Sequence, residues 1–479
     1  MSTVLAIDQG TSGTKAVVVC PERGVLASAY RPVRPAYLDG GLVEQDPQEL
    51  LASVIEAGCA AVDACGGEPI DAVGLANQGE TVLAWDRRNG EPLSTAVVWQ
   101  DRRAQPLCDE LTGAAARLTE ITGLPLDPYF AAPKMAWLRR HATRAGVVTT
   151  SDAWLVHQLT GAFVTDASTA SRTMLLDLDR ARWSPEAVEV FGLTGESLPE
   201  VVPCAHLVGA TTAFGRDLPL TGLMVDQQAA LLAQHCFTPG DTKCTYGTGA
   251  FVLANAGRTG VRSRSGLVAS LAWLDDAGPA YCLDGQVYTV GSALRWLADL
   301  GIVANPDDID EVAATVRDSG GVTFVPAFAG LAAPSWRGNA RAQLGGLALG
   351  TTRGHVVRAL CEGIAADVTL LVEAVEHDVD TVVPALRVDG GHTRSRLLMQ
   401  TQADLLQRPV EVHASPDATA LGVAAASRAG LTGEPLRDAV VPAPPSAVYE
   451  PQRSADEVAA VLAGYRAAVA RLLHEPALR

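Results

Sequence analysis

Apolar positions along the chain fall into short runs that alternate with longer one-sided patterns. The run Thr3–Ile7 predicts a strand. A polar turn follows, Asp8-Gln9-Gly10-Thr11-Ser12-Gly13-Thr14, and then a second strand at Ala16–Cys20. Two strands joined by a Gly-rich turn form a hairpin. This turn is unusual in carrying a carboxylate and three hydroxyl residues. The same grammar recurs at Thr242–Tyr246, Gly247-Thr248-Gly249 and Ala250–Ala254. Two such hairpins, about 235 residues apart, point to an internally duplicated chain with two similar lobes.

Between and after the hairpins, strands alternate with helices, which argues for α/β layers. Ile70–Ala76, Thr81–Trp85, Ala96–Trp99 and Leu386–Asp389 read as strands. Helices are expected over Gln48–Ala64, behind Asp46-Pro47, and over Pro133–His141, with Pro133 near the first position. Others are expected at Asp226–Gln234, His355–Asp378, Ser395–Leu406 and Asp456–Leu473. The turn-rich stretch Phe237-Thr238-Pro239-Gly240 divides the chain into lobes of residues 1–237 and 238–479.

Composition narrows the class. At 479 residues, 48% hydrophobic and 19% charged, the chain reads as an ordinary soluble protein with cores of useful size. Its formal charge of −17 disfavours nucleic acid and anionic membranes as partners. The N-terminus shows no secretory signal pattern. No uninterrupted apolar stretch reaches roughly 18 residues, so no membrane span is expected. The nine cysteines are scattered, with no Cys-x-x-Cys pair, and read as free thiols in a reducing cytoplasm. Lys15, Lys134 and Lys243 are the only lysines.

The chemistry sits at the Gly-rich tips. Backbone can approach a phosphate closely where there is no Cβ, and its N–H groups then serve as donors. Asp8 is placed to hold Mg²⁺, which prefers few carboxylates and several waters. Thr11, Thr14 and Lys15 are candidates for phosphate oxygens. By itself the first hairpin also reads as a plain polar turn. No Walker P-loop is present, nor the G-x-G-x-x-G of a dinucleotide-binding fold. Asp226 heads its expected helix, where it reads either as an N-cap or as an ionised carboxylate favoured by the helix dipole.

Taken together, these blocks resemble the FGGY carbohydrate kinases, and glycerol kinases among them. Ala6-Ile7-Asp8-Gln9-Gly10-Thr11-Ser12 is similar to the family's first phosphate loop and Thr245-Tyr246-Gly247-Thr248-Gly249 to its second. Asp226-Gln227-Gln228-Ala229-Ala230 resembles its catalytic stretch, and Asp389-Gly390-Gly391 its adenosine loop. Further agreement lies in Ala96-Val97-Val98-Trp99-Gln100, Asp127-Pro128-Tyr129-Phe130, Ser171-Arg172-Thr173-Met174-Leu175, Lys134-Met135-Ala136-Trp137-Leu138 and Val325-Pro326-Ala327-Phe328.

The resemblance implies an α/β fold of two duplicated, actin-like (ribonuclease-H-like) lobes with ATP and substrate in the cleft between them. It implies ATP and Mg²⁺ as cofactors, a small polyol or sugar as partner, a cytoplasmic location, and dimers or tetramers. Asp226 becomes the general base that accepts the proton of the acceptor hydroxyl. Gln78, Gly79, Glu80, Tyr129, Asp226, Gln227 and Phe251 fall at substrate positions. Thr11, Ser12, Lys15, Thr248, Gly249, Gly291, Arg295, Gly391, His392 and Ser395 fall on the ATP side, with Asp8 at the metal. His392 and Ser395 depart from the glycerol kinase pattern.

The sharpest departure is Asn77-Gln78-Gly79-Glu80-Thr81, where that pattern has an arginine in place of Gly79. Losing the guanidinium opens volume and leaves Glu80 without its partner. Unless another arginine fills the gap, a four- or five-carbon polyol or ketose becomes the alternative to glycerol. An actin-like ATPase that only binds is disfavoured by Glu80, Tyr129 and Asp226. A catalytically silent homologue is disfavoured by the intact Asp8, Asp226 and phosphate loops.

Overall fold

The computed structural model describes residues 2–474. Two sheets organise it. The first runs in the order Ala205–Thr211, Leu218–Val225, Ala72–Asn77, Val4–Gly10, Gly13–Cys20, Gly24–Pro32. The second runs Val268–Asp275, Gly278–Val287, Ala250–Gly257, Thr242–Tyr246, Leu386–Asp389, Val410–Val412, Ala447–Tyr449.

Their pairings repeat. In the first sheet, Val4–Gly10 pairs antiparallel with Gly13–Cys20, which pairs antiparallel with Gly24–Pro32. On its other side, Val4–Gly10 is parallel to Ala72–Asn77, which is parallel to Leu218–Val225, which closes antiparallel on Ala205–Thr211. In the second sheet, Thr242–Tyr246 takes the place of Val4–Gly10 and makes the same sequence of antiparallel and parallel partners. Val268–Asp275 is an added edge strand. The duplication expected from the two hairpins is therefore a duplication of whole sheets.

The two expected hairpins form, the first longer than its apolar pattern suggested: Gly10 faces Gly13 across the tip, so Thr11 and Ser12 alone make the turn. Helix Pro47–Ala64 begins as expected: the Asp46 carboxylate accepts the Gln48 N–H at 2.8 Å, and Pro47 fills the first position. Several boundaries shift: the strand expected from Ile70 begins at Ala72, and the helix expected from His355 begins at Arg353. The strand at Ala96 ends at Val97. Helix Ala131–His141 starts two residues before Pro133. Helix Arg396–Leu406 starts after Ser395, which caps it.

The first lobe's core is built on Leu5, Ile7, Leu50, Val54, Val73 and Leu75, all buried. The second is built on Val252, Leu283, Val388 and the long helix Arg353–Val379. Helix Ala418–Thr432, from the end of the chain, lies on the first sheet. A Cβ on Gly74 would come within 2.7 Å of the Val423 carbonyl, and one on Gly222 within 2.5 Å of the Ser427 nitrogen. Those glycines let helix and sheet touch backbone to backbone. All nine cysteines are unpaired. Among the described residues, no helix is long and apolar enough to cross a membrane.

Candidate functional site

Both hairpin tips open onto one cavity of about 230 Å³ between the sheets. Its wall contains Thr11 and Ser12 from the first tip and Thr248 and Gly249 from the second. Gln78, Gly79, Glu80, Tyr129, Asp226, Gln227 and Phe251 line the same space, so all seven expected substrate residues meet there. Both tips are held in place, the second also from outside by the Val290 N–H, which donates to the Thr248 carbonyl at 2.8 Å. The Thr11 hydroxyl accepts the Trp99 indole N–H at 2.8 Å, and the Ser12 carbonyl accepts the Tyr30 hydroxyl at 2.8 Å. At the second tip, the Gly247 N–H donates to the Gly249 carbonyl at 2.8 Å. A side chain at Gly249 would sit 2.5 Å from the Val287 carbonyl, so only glycine fits that turn.

Glu80 has a cationic partner in Arg172, to which sequence reasoning gave no role, while the one neighbour of a Cβ built on Gly79 is Val225 Cγ2 at 3.0 Å. Arg172 lies just past the short helix Ala167–Ser171 and is 5% exposed. Its Nε donates to Glu80 Oε1 at 2.6 Å, and its Nη1 donates to Asp284 Oδ2. The guanidinium also lies 5.5 Å from the Phe130 ring centre and 5.8 Å from that of Tyr129. Glu80 is therefore paired within the first lobe, and through Arg172 it is linked to Asp284 on the second sheet, which joins the site. The expectation of an unpartnered Glu80 is overturned. The signal available was the block Ser171-Arg172-Thr173-Met174-Leu175, which agrees with the family pattern and carries an arginine. Glu80 itself has φ 58°, a left-handed backbone held on a non-glycine residue at the site.

Lys134 fixes the Tyr129 loop. Its ammonium is fully buried and donates to the carbonyls of Pro128 (2.9 Å), Tyr129 (2.5 Å) and Phe130 (2.6 Å). An ammonium has three protons, and all are used. Burial pulls its pKa down to about 7, against the opposing pull of Glu80 and other acids.

Asp226 is the first residue of helix Asp226–Ala233, and the cap position belongs to Val225. Its Oδ1 accepts the Gln227 N–H at 2.7 Å. Burial raises its pKa to about 6, Glu80 raises it further, and Lys243 and Gln227 oppose the rise. Lys243 is a second residue without an assigned role. It is fully buried on the strand Thr242–Tyr246, and its Nζ donates to Gln227 Oε1 at 2.5 Å and Thr245 Oγ1 at 2.8 Å.

Asp8 lies on the first strand three residues before Thr11, the first residue of that hairpin in the cavity wall. Burial first, then Asp226, Asp417 and Asp389, raise its pKa to about 7, while Lys15 lowers it. Lys15 is ion-paired with Asp417. This gathering of carboxylates around Asp8 suits a divalent cation. Among the described residues, no group of three or more His, Cys, Asp or Glu side chains is placed to hold a metal ion by itself. A hard cation that takes one carboxylate, waters and phosphate oxygens fits such a site.

The outer nucleotide candidates form a second group beyond the tip. The Gly291 N–H donates to the Gly247 carbonyl at 3.2 Å. A Cβ on Gly291 would fall 2.4 Å from His392 Nε2, so His392 packs directly over that glycine. Burial lowers the His392 pKa, with the neighbouring Arg394 and Arg295 adding to the effect. Gly391 has open space above it, its nearest neighbour being Arg394 Nη1 at 4.0 Å. Ser395 is different. Its hydroxyl accepts the Leu398 N–H at 3.1 Å and donates to Asp310, so it serves the helix and is not free for a base.

Comparison with known proteins agrees with this architecture. Residues 3–233 match the N-terminal domain of the FGGY family of carbohydrate kinases, and residues 242–429 match its C-terminal domain. The chain is 42% identical to glycerol kinase 2 of Thermotoga maritima over 441 residues, covering 88% of this chain and 89% of that one. It is 41% identical to a glycerol kinase of Alkalilimnicola ehrlichii over 491 residues, covering 98% of each. The crystal structure of Plasmodium falciparum glycerol kinase with ADP superposes with a TM-score of 0.91 at 30% identity, over 99% of both chains. A gluconate kinase from Lactobacillus acidophilus, at 21% identity and TM-score 0.90, shares the fold. With both lobes matched in order and the two hairpin tips meeting at one cavity, the chain belongs to the FGGY family of carbohydrate kinases.

Proposed function

We propose that this kinase transfers the terminal phosphoryl group of ATP to a hydroxyl of glycerol. The observation that carries the reading is the polar set around the cavity: Glu80 paired to Arg172, with Asp226 and Gln227 opposite the two hairpin tips. Such a set gives a small polyol both acceptors and donors within one buried space. The relatives at 41–43% identity are glycerol kinases, which supports the same substrate. Arg172 gives Glu80 a cationic partner, so of the two reasons for preferring a longer polyol only the volume at Gly79 is left.

In this reading Glu80 and Arg172 orient the substrate hydroxyls, and the Trp99–Tyr129–Phe251 edge contacts cover its carbon chain. Asp226 aligns the acceptor hydroxyl and takes its proton as the oxygen–phosphorus bond forms and ADP departs. Thr11, Ser12, Thr248 and Gly249 are the phosphate-side groups, and Gly291, Arg295, Gly391 and His392 face the nucleoside. Asp8 would hold Mg²⁺, which supplies charge neutralisation to the transferring phosphoryl group. Most of the rate then comes from positioning and electrostatics.

The test is a coupled ADP-release assay with Mg-ATP over glycerol, dihydroxyacetone, erythritol, erythrulose, xylulose, ribulose and xylitol. Glycerol is expected to have the highest kcat/KM by a wide margin. A four- or five-carbon compound in first place overturns the glycerol assignment and makes Gly79 a source of pocket volume.

A further inference from the structure

We propose that Lys243 is a positioning residue that sets the hydrogen-bonding polarity of the acceptor pocket, turning Gln227 and Thr245 toward the substrate as donors; this rests on the reading that the cavity takes a polyol. The argument starts from strand geometry. Alternate residues of Thr242–Tyr246 share a face, so Lys243 and Thr245 point the same way. Lys243 is fully buried, and Gln227 and Thr245 line the cavity.

An ammonium can only donate. The atom of Gln227 that meets Nζ at 2.5 Å must therefore be the carbonyl oxygen, whichever way an isolated amide would turn. Its NH₂ is then directed away from Lys243, and the side chain lies against the Asp226 carboxylate, which it helps to keep ionised. Thr245 Oγ1 likewise accepts from Nζ at 2.8 Å, which uses one of its two lone pairs and turns its O–H away from Nζ, free to be donated elsewhere. One buried cation thus orients two donors at a cavity wall that also carries the acceptors Glu80 and Asp226. Asp226 and Asp389 face Lys243 and oppose the effect of burial on its charge.

The consequence is a preference that a purely structural lysine would not produce. A substrate hydroxyl can rotate to donate or accept, but a carbonyl oxygen only accepts. If Gln227 loses its anchor and turns, glycerol adapts and a ketone does not. The comparison is therefore glycerol against dihydroxyacetone, measured as kcat/KM, or as Ki against glycerol where the ketone turns over too slowly.

Lys243→Met is expected to lower kcat/KM for glycerol and to weaken dihydroxyacetone by a further factor of roughly 10, the scale of one hydrogen bond left unmade in a buried site. Lys243→Arg, which keeps a donor-only cation, should restore most of the ratio. Gln227→Glu keeps the partner of Lys243 but presents only acceptors, so it should move the ratio the same way. It decides the matter if Lys243→Met does not fold. A glycerol-to-dihydroxyacetone ratio unchanged in a folded variant, with the wild type active, overturns the role of Lys243 alone. A wild type that releases no ADP with any polyol overturns the functional reading and this inference with it.

Discussion

Replacing Arg172 with Met is the substitution with the largest consequence that the structure foresees. The guanidinium is 5% exposed and lies between Glu80 at 4% and Asp284 at 2%. Methionine fills much of the same volume, so the change isolates charge and hydrogen bonding from packing. Breaking a buried ion pair by removing one partner costs about 3–5 kcal/mol, because the carboxylate left behind is uncompensated. Two carboxylates are stranded here, although the cavity admits some water, which favours the lower end of that range. On catalysis, losing the charged hydrogen bond that holds Glu80 should remove about 2–3 kcal/mol of transition-state stabilisation, or about 30- to 150-fold in kcat/KM.

The pH dependence of this variant has a definite sign. Burial already raises Asp284 to about 6, with Arg172 opposing the rise. Without Arg172 the folded-state value climbs further above the unfolded value of about 4. The penalty from the ionised form then grows as pH rises through that window. The melting-temperature deficit should accordingly be larger at pH 8 than at pH 5. Arg172→Lys should recover only part of either loss, since a point charge cannot fork to two carboxylates on different elements. A variant that melts as the wild type does at pH 8, with kcat/KM within about threefold, would refute the reasoning; the threefold margin is about 0.7 kcal/mol.

Asp226→Asn should lower kcat by roughly 10²- to 10⁴-fold while leaving ATP binding by calorimetry nearly unchanged; near-normal turnover removes Asp226 as base. In the wild type, kcat/KM should fall on the acid side below pH about 6 as Asp226 takes up a proton, and a flat profile down to pH 5 would contradict this. Gly79→Arg brings a Cβ to 3.0 Å from Val225 Cγ2 and a second guanidinium toward Glu80. It should disfavour erythritol and xylitol more than glycerol, as read from the kcat/KM ratios. Asp367 is raised to about 7 by burial, with the Tyr465 hydroxyl opposing. Asp367→Asn should therefore stabilise on the order of 2 kcal/mol at pH 8 and little at pH 4, where the wild-type carboxyl is already neutral in the folded state.

The sequence by itself determined the elements whose information is local. Two Gly-rich hairpins, a proline behind an aspartate cap, and apolar runs of strand length depend on neighbours in the chain, and each formed. Asp226 at the head of its helix and the two hairpin tips were legible for the same reason, whereas Glu80 stood out only through the family block it resembles. What only the tertiary structure decided is which distant charges meet. Arg172 reaches Asp284 over 112 residues, and no pattern along the chain announces that pair. The three lysines look alike as letters, yet Lys134 holds a loop, Lys15 pairs with Asp417 and Lys243 holds Gln227. Helix Ala418–Thr432 crosses to the first sheet because Gly74 and Gly222 leave room for its backbone, a fit between surfaces far apart in sequence. Burial, which raises Asp8 and Asp226 and lowers Lys134, is likewise a property of the assembled lobes. It arises when packed elements exclude water from these charges: the site around Asp226 for one, the carbonyls of Pro128, Tyr129 and Phe130 for Lys134.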